Sequence, residues 1–214
     1  MRALLEHGDL ILAALGTTLL IAVVSSVGAL VVGVLVTVTR ISPIRVLRTA
    51  AFLYVQYFLN VPLLALLLLA VFALPDAGLI MPLGTSVVIV LVVYQGAYVA
   101  EAVRSGVNTV APGEIEAARA LGMRFSQVIR AVVVPQALRA VVQPLGNVLI
   151  ALLMNTALAA TVGVVELTSA ANNVNTKAAQ PITIYVAVGL LYMTMALGIG
   201  VLTGRLEKKV AVHR

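Results

Sequence analysis

Residues Leu10–Val38, LILAALGTTLLIAVVSSVGALVVGVLVTV, contain no charged side chain in 29 consecutive positions. A hydrocarbon core is crossed by ~20 predominantly apolar helical residues. This stretch is therefore a membrane span, and its surplus length is taken up by tilt or by extension past the bilayer. A cleavable signal peptide has a basic leading region and an apolar run of only ~7–15 residues. Here Arg2 is followed by Glu6 and Asp9 before a much longer run, so an uncleaved first span is expected. Four further stretches qualify on the same grounds, at about Thr49–Leu74, Thr85–Val103, Ala140–Val165 and Ile182–Leu202.

Composition agrees with this pattern. The chain is 62% apolar and 10% charged, against ~45–50% and ~25% for soluble domains. It has no cysteine, which excludes a disulfide scaffold and a thiolate metal site. The expected fold is an all-α membrane protein with five transmembrane helices, in one domain spanning 1–214. No internal repeat or linker is visible.

Charge sets the orientation. Arg40, Arg45 and Arg48 occupy the first gap, Arg104, Arg119, Arg124, Arg130 and Arg139 the third, and Arg205, Lys208, Lys209 and Arg214 the tail. The other side carries only Arg2 and Lys177. By the positive-inside rule the N-terminus is outside and the C-terminus cytoplasmic, as an odd number of spans requires. The net charge of +6 does not indicate a nucleic-acid surface. The basic residues lie in gaps between apolar runs, and aromatics make up only 5%, whereas such surfaces need clustered cations and stacking rings.

The segment 104–139 is the most informative. It is about 36 residues long where a turn would suffice. Ile115, Ala118, Leu121, Phe125, Val128 and Val132 recur at intervals of three and four, which makes one helical face. Pro112 and Gly113 open the helix, Glu114 and Glu116 suit its first turn, and Gly122 breaks it. The pattern predicts a helix over about 113–121, a turn at Gly122, and a second helix ending near Pro135. Such a helix either lies in the headgroup plane or seats on a soluble partner.

The order of residues favours the partner. Glu116-Ala117-Ala118, then Gly122, then Val132-x-Val134-Pro135 resembles the EAA signature of binding-protein-dependent ABC importers, with Val in the family's Ile and Leu places. Gly96-Ala97-Tyr98-Val99-Ala100-Glu101, Pro135-Gln136-Ala137-Leu138-Arg139 and Pro144-Leu145-Gly146-Asn147 resemble polar amino-acid permeases of the histidine, glutamine and glutamate type. The resemblance covers about residues 10–205. It implies a transmembrane subunit in a bacterial inner membrane, importing a small polar amino acid of the glutamate/glutamine kind. The implied partners are two nucleotide-binding ATPase subunits, a second permease subunit, an extracytoplasmic solute-binding protein and the lipid bilayer, with no nucleic acid.

On that resemblance, Glu116, Ala117, Ala118, Arg119, Gly122 and Pro135 belong to the ATPase-coupling loop. Asn155, Thr156, Gln95, Tyr98 and Asn60 are the candidates for the solute pathway, being polar positions within apolar spans, where polar groups are costly. For each of them the plainer role is an interhelical hydrogen bond. Two places depart from the family: Leu59 and Val61 stand where an Arg and a Thr are usual, and Met154 where a Lys is usual. These losses favour a less charged solute, or a scaffold that keeps the docking helix without a pathway. A stand-alone channel or secondary carrier would need no docking helix.

Other chemistry finds no support in the residues. The three lysines lie outside any GxxxxGK[ST] loop, so no cofactor is expected in this chain and ATP with Mg would be bound by a partner. His7 and His213 stand at opposite ends, and no triad or metal spacing is visible, so no enzyme activity is expected. Three lesser expectations complete the reading. Pro62 kinks or interrupts span two. Glu101 pairs with Arg104 one turn on. Gly200 and Gly204 allow a close helix approach. The stretch from Glu166 to Lys177, with Asn172, Asn173 and Asn175, reads as a polar external segment that meets a solute-binding protein or is merely solvated.

Overall fold

The computed structural model describes residues 6–210, and no strand occurs among them. The elements are α1 (Gly8–Arg40), α2 (Arg45–Asn60), α3 (Leu63–Leu68), α4 (Leu83–Val107), α5 (Pro112–Ala120), α6 (Phe125–Val128), α7 (Val134–Asn155), α8 (Leu167–Ala178) and α9 (Pro181–Val210). Four rods are long and apolar enough to span a bilayer: α1, α4, the run Phe125–Val162, and α9. A bent pair, α2 with α3, makes up to five.

The centre is α4, sandwiched between α1 and α7, with α9 against the far side of α7. The α1–α4 seam is closed by small residues. A Cβ on Gly33 would overlap Val99, and one on Gly96 would overlap Val32, so the two backbones approach as closely as glycine allows. Thr37 stitches the seam, its hydroxyl donating to the Gly33 carbonyl at 2.9 Å and lying 3.2 Å from that of Ala100. Without a hydrophobic driving force between helices in lipid, such packing and hydrogen bonding hold spans together. The Gly200 and Gly204 pair does not serve this way within the chain, because both face open space. Instead α9 approaches α7 where Gly146 meets Thr203.

The structure corrects the expected spans in several places. Span two is not one rod over 49–74. Val61 and Pro62 are extended, and the halves meet at 102°. Proline disfavours the helical region for the residue before it and brings no N–H of its own, so two consecutive positions leave the helix. A π-helical turn at Leu69–Ala73 and a short 3-10 turn at Pro75–Ala77 follow, and Gly78 at φ +87° ends the excursion.

The second loop helix does not stop near Pro135, and span four does not begin at Ala140: the helix runs through from Phe125. A π-helical turn, Ile129–Val133, immediately precedes Val134 and Pro135. It shifts the hydrogen-bond ladder by one residue and makes room for the proline ring, the usual setting for such bulges. Beyond Asn155 the rod tightens to a 3-10 helix over Thr156–Val162 and ends at Gly163, φ +89°, short of the expected Val165. The third span runs over Leu83–Val107, past its expected end at Val103, and the fifth runs over Pro181–Val210, past Leu202.

The Glu166–Lys177 stretch is neither loose nor simply external. It forms α8, whose Leu167, Ala170, Ala171 and Val174 are buried against α1 and α9. Glu166 caps it from a fully buried position (0% exposed). One carboxyl oxygen accepts from the Ser169 N–H at 2.8 Å and the other from the Tyr192 hydroxyl at 2.6 Å. The next N–H, of Leu167, donates to Thr18 of α1 at 3.0 Å, so one capping turn ties three helices together. Glu166→Ala removes a cap and orphans two donors, which together cost about 2–4 kcal/mol. Thermal unfolding in detergent should show a large drop in midpoint for Glu166→Ala and a smaller one for Tyr192→Phe; equal midpoints would contradict this role.

At the opposite end, the expected Glu101–Arg104 pair is present and is joined by a third group. Arg104 donates to both Glu101 oxygens, and Arg40 of α1 donates to the same carboxylate at 2.7 Å.

Candidate functional site

The segment after α4 folds as a helical hairpin. Ala111 is extended, and Pro112 takes the first helical position of α5, where a missing N–H costs nothing. The helix ends in a Schellman turn: the Gly122 N–H donates to the Arg119 carbonyl at 2.9 Å and the Met123 N–H to that of Ala118 at 3.2 Å. Gly122 sits at φ +80°, a conformation that side chains resist. The N–H of Arg124 then meets the Gln127 side chain at 2.8 Å to start α6.

One face of the hairpin is buried. Val110, Ala118, Val128 and Val133 form a small core with Ile115, Met123 and Val132 against them. Leu121 and Phe125, expected on that same face, are instead 84% and 69% exposed. The left-handed residue at Gly122 resets the helical phase, so a 3.6-residue pattern cannot be carried across it. The solvent face therefore presents Glu116, Ala117, Arg119, Leu121 and Phe125. Ala118 points into the core, and Pro135 lies half-buried on the long rod. Gln136, next to it, donates to the Glu114 carboxylate, clamping α5 to that rod.

The second site is a cavity of about 310 Å³ between α4 and α7, lined by Tyr94, Gln95, Tyr98, Asn147, Val148, Ala151 and Asn155. The hydroxyls of Tyr94 and Tyr98 are 3.0 Å apart, and Gln95, 2% exposed, donates to the Val148 carbonyl at 3.3 Å. No charged side chain lines it. Its volume is at the low end of the ~300–1,000 Å³ of small-molecule sites. The fold thus brings together Gln95, Tyr98 and Asn155 among the expected pathway residues, and leaves out two. Thr156 is fully buried and donates to the Leu153 carbonyl at 2.6 Å. Asn60 is exposed at the break of the bent pair, its amide donating to the Gln56 carbonyl at 2.7 Å. Tyr94 and Asn147 complete the cavity. The spacings 94/98 and 147/151/155 place these residues on single helical faces, a signal present in the sequence.

Met154, one residue from Asn155, turns away into an apolar groove with Ile150, Ala157 and α9. Leu59 and Val61 are half-buried near the Pro62 break.

A continuous helix joins the two sites. From Phe125 at the hairpin to Asn155 in the cavity it spans 31 residues, roughly 46 Å at ~1.5 Å per residue. Spans around a polar cavity are tied by one rod to a solvent-facing hairpin, an arrangement that fits the transmembrane subunit of a transporter.

Residues 29–212 match the family described as binding-protein-dependent transport system inner membrane component, and the chain belongs to that family. This is the family whose EAA signature the loop resembles. The chain is 35% identical to the glutamate transport system permease protein GluC of Corynebacterium efficiens, over 98% of this chain and 97% of that one. It is 33% identical to the probable glutamine ABC transporter permease protein GlnM of Bacillus subtilis, over 90% and 89%. Among solved structures it superposes on a subunit of an amino acid ABC transporter crystallised with histidines, with TM-score 0.91, 28% identity and 97% of each chain covered. The MetNI methionine ABC transporter in an inward-facing form follows at TM-score 0.78 and 25% identity, over 97% and 99%.

Proposed function

We propose that the chain is the permease subunit through which a polar amino acid of glutamate/glutamine size is imported at the expense of ATP hydrolysed by a separate subunit. The observation that carries this reading is the single helix from docking hairpin to cavity. In this reading Glu116, Ala117, Leu121 and Phe125 seat on a nucleotide-binding subunit, with Gly122 setting the angle of the seat. Two such ATPases, which bind ATP and Mg, act on two permease subunits, and a solute-binding protein delivers from the opposite side. Closure of the ATPases pushes the hairpin, and the rod carries the displacement to Asn147 and Asn155. The change is an alternation between two packings, biased by ATP through its different contacts with each.

The uncharged cavity bears on the solute. An α-amino acid finds hydroxyl and carboxamide partners there, but a side-chain carboxylate finds no cation. A buried charge without a partner is strongly disfavoured, so this subunit's cavity suits glutamine better than glutamate. The polar lining also favours a pathway over a bare scaffold. In this reading, supported by the basic gaps, the hairpin and the C-terminus lie in the cytoplasm and the N-terminus outside.

The test is uptake by proteoliposomes holding this chain with its permease partner and ATPase. Labelled glutamine should enter only with ATP on the hairpin side and the binding protein on the other, and unlabelled glutamine should compete better than glutamate. ATP-independent flux, or none with every subunit present, would contradict the reading.

A further inference from the structure

Where α1 ends, α2 begins and α4 ends, three arginines from three helices converge on an open cavity. Arg40, Arg48 and Arg104, with Thr49 and Phe52, line about 420 Å³. We propose that this cavity is a phosphate-group site that holds the headgroup of one anionic phospholipid.

The charge count favours an anion. Glu101 is the one carboxylate paired here, and it is shared between Arg40 and Arg104. Arg48 makes no ion pair among the described residues, so three guanidinium groups face one carboxylate. A single arginine would suffice to neutralise Glu101. The excess of two positive charges is set at the edge of the apolar spans, where it attracts an anionic headgroup.

The site is also formed in advance. The Arg40 side chain is only 14% exposed, fixed by Glu101 at 2.7 Å and by the Phe52 ring, whose centroid lies 5.6 Å from the guanidinium carbon. Guanidinium forks held in place match phosphate oxygens, and less freedom is lost on binding than with mobile lysines. Thr49 adds a hydroxyl beside Arg48.

The surroundings select a lipid over free phosphate. On the same helices, Val38 about half a turn and Leu35 and Leu53 about one and a half turns from the arginines are each more than half exposed to the surrounding lipid. Phe52, which lines the cavity itself and is 45% exposed, gives acyl chains an apolar surface beside the arginines. Basic pockets between spans on the cytoplasmic side hold anionic headgroups in this manner.

The experiment is native mass spectrometry of the full-length chain, with any co-purifying subunits, released from detergent containing phosphatidylglycerol or phosphatidylcholine of the same acyl chains. One phosphatidylglycerol per chain should be retained at concentrations where phosphatidylcholine is lost. The Arg48 side chain is exposed and makes no hydrogen bond or ion pair among the described residues, so Arg48→Gln should fold and weaken retention about fivefold, the worth of one charge at a membrane surface. Arg48→Lys should keep most of it. Lys208→Gln with Lys209→Gln removes more charge elsewhere on the same side and should change nothing. Equal retention of the two lipids, or wild-type retention by Arg48→Gln, would overturn the site. Displacement of the lipid by millimolar inorganic phosphate as effectively as by phosphatidylglycerol would reassign it to a free anion and overturn the lipid.

Discussion

Gly122→Val should abolish ATP-coupled uptake, by tenfold or more, while leaving the protein inserted and its helices formed. A β-branched residue at φ +80° is strongly disfavoured, so the Schellman turn would open. Nothing lies within 4 Å of where a Cβ would stand, so the effect is conformational and confined to the hairpin. With the turn lost, α5 changes its angle to α6, and Leu121, Phe125 and Glu116 no longer form one surface. A tenfold loss of docking corresponds to about 1.4 kcal/mol, less than the cost of forcing valine into that region. Gly122→Asn tolerates the left-handed conformation and should retain most activity. The check is co-purification with the ATPase, measured beside uptake for Gly122→Val, Gly122→Asn and Glu116→Ala. Docking that survives Gly122→Val would remove the hairpin from the coupling pathway.

Asn155→Leu should lower uptake by ten- to a hundredfold, with ATPase co-purification unchanged. The residue lines the uncharged cavity with Tyr98 and Asn147, where the only partners for a polar solute are such groups. Leucine would deprive the solute of the donor and acceptor that Asn155 offers, a loss of ~1–3 kcal/mol. Thr156→Val, one residue further on, should stay within about twofold, because that hydroxyl serves the Leu153 carbonyl in the core. Equal losses at 155 and 156 would indicate general damage to the helix and not a solute contact. The contrast between the docking variant and the cavity variant separates coupling from recognition.

The membrane character, the helical class, the number of apolar stretches, the helix before Gly122 and the Glu101–Arg104 pair were all legible in the chain. Each rests on local chemistry: run length against bilayer thickness, charge in the gaps, short motifs, and neighbours one turn apart. Half of the cavity was legible too, since Gln95, Tyr98 and Asn155 are polar residues in apolar company. Tyr94 and Asn147 share helical faces with Tyr98 and Asn155, but that these residues meet in one cavity, and that Thr156 is left out of it, needed the rotation of α7 against α4, which is set by packing between helices far apart in sequence.

Burial at the hairpin was misread from periodicity, because the helix already ends at Ala120, leaving Leu121 as an exposed cap residue, and the left-handed Gly122 then shifts the phase and puts Phe125 outside. Pro62 and Pro135 make the same point. Both are prolines in apolar helical company, yet the first parts α2 from α3 at 102° and the second is absorbed by a π-helical turn. Which occurs depends on whether surrounding helices hold the backbone in line, and no local pattern records that. Glu166 is the clearest case. Its composition reads as a solvated polar stretch, but Thr18 and Tyr192, 148 residues before and 26 after, converge there and bury it. Local chemistry determined what the elements are and which side of the bilayer the charges prefer; only the convergence of distant residues, driven by packing and by the need to satisfy buried polar groups, decided which of them form a site.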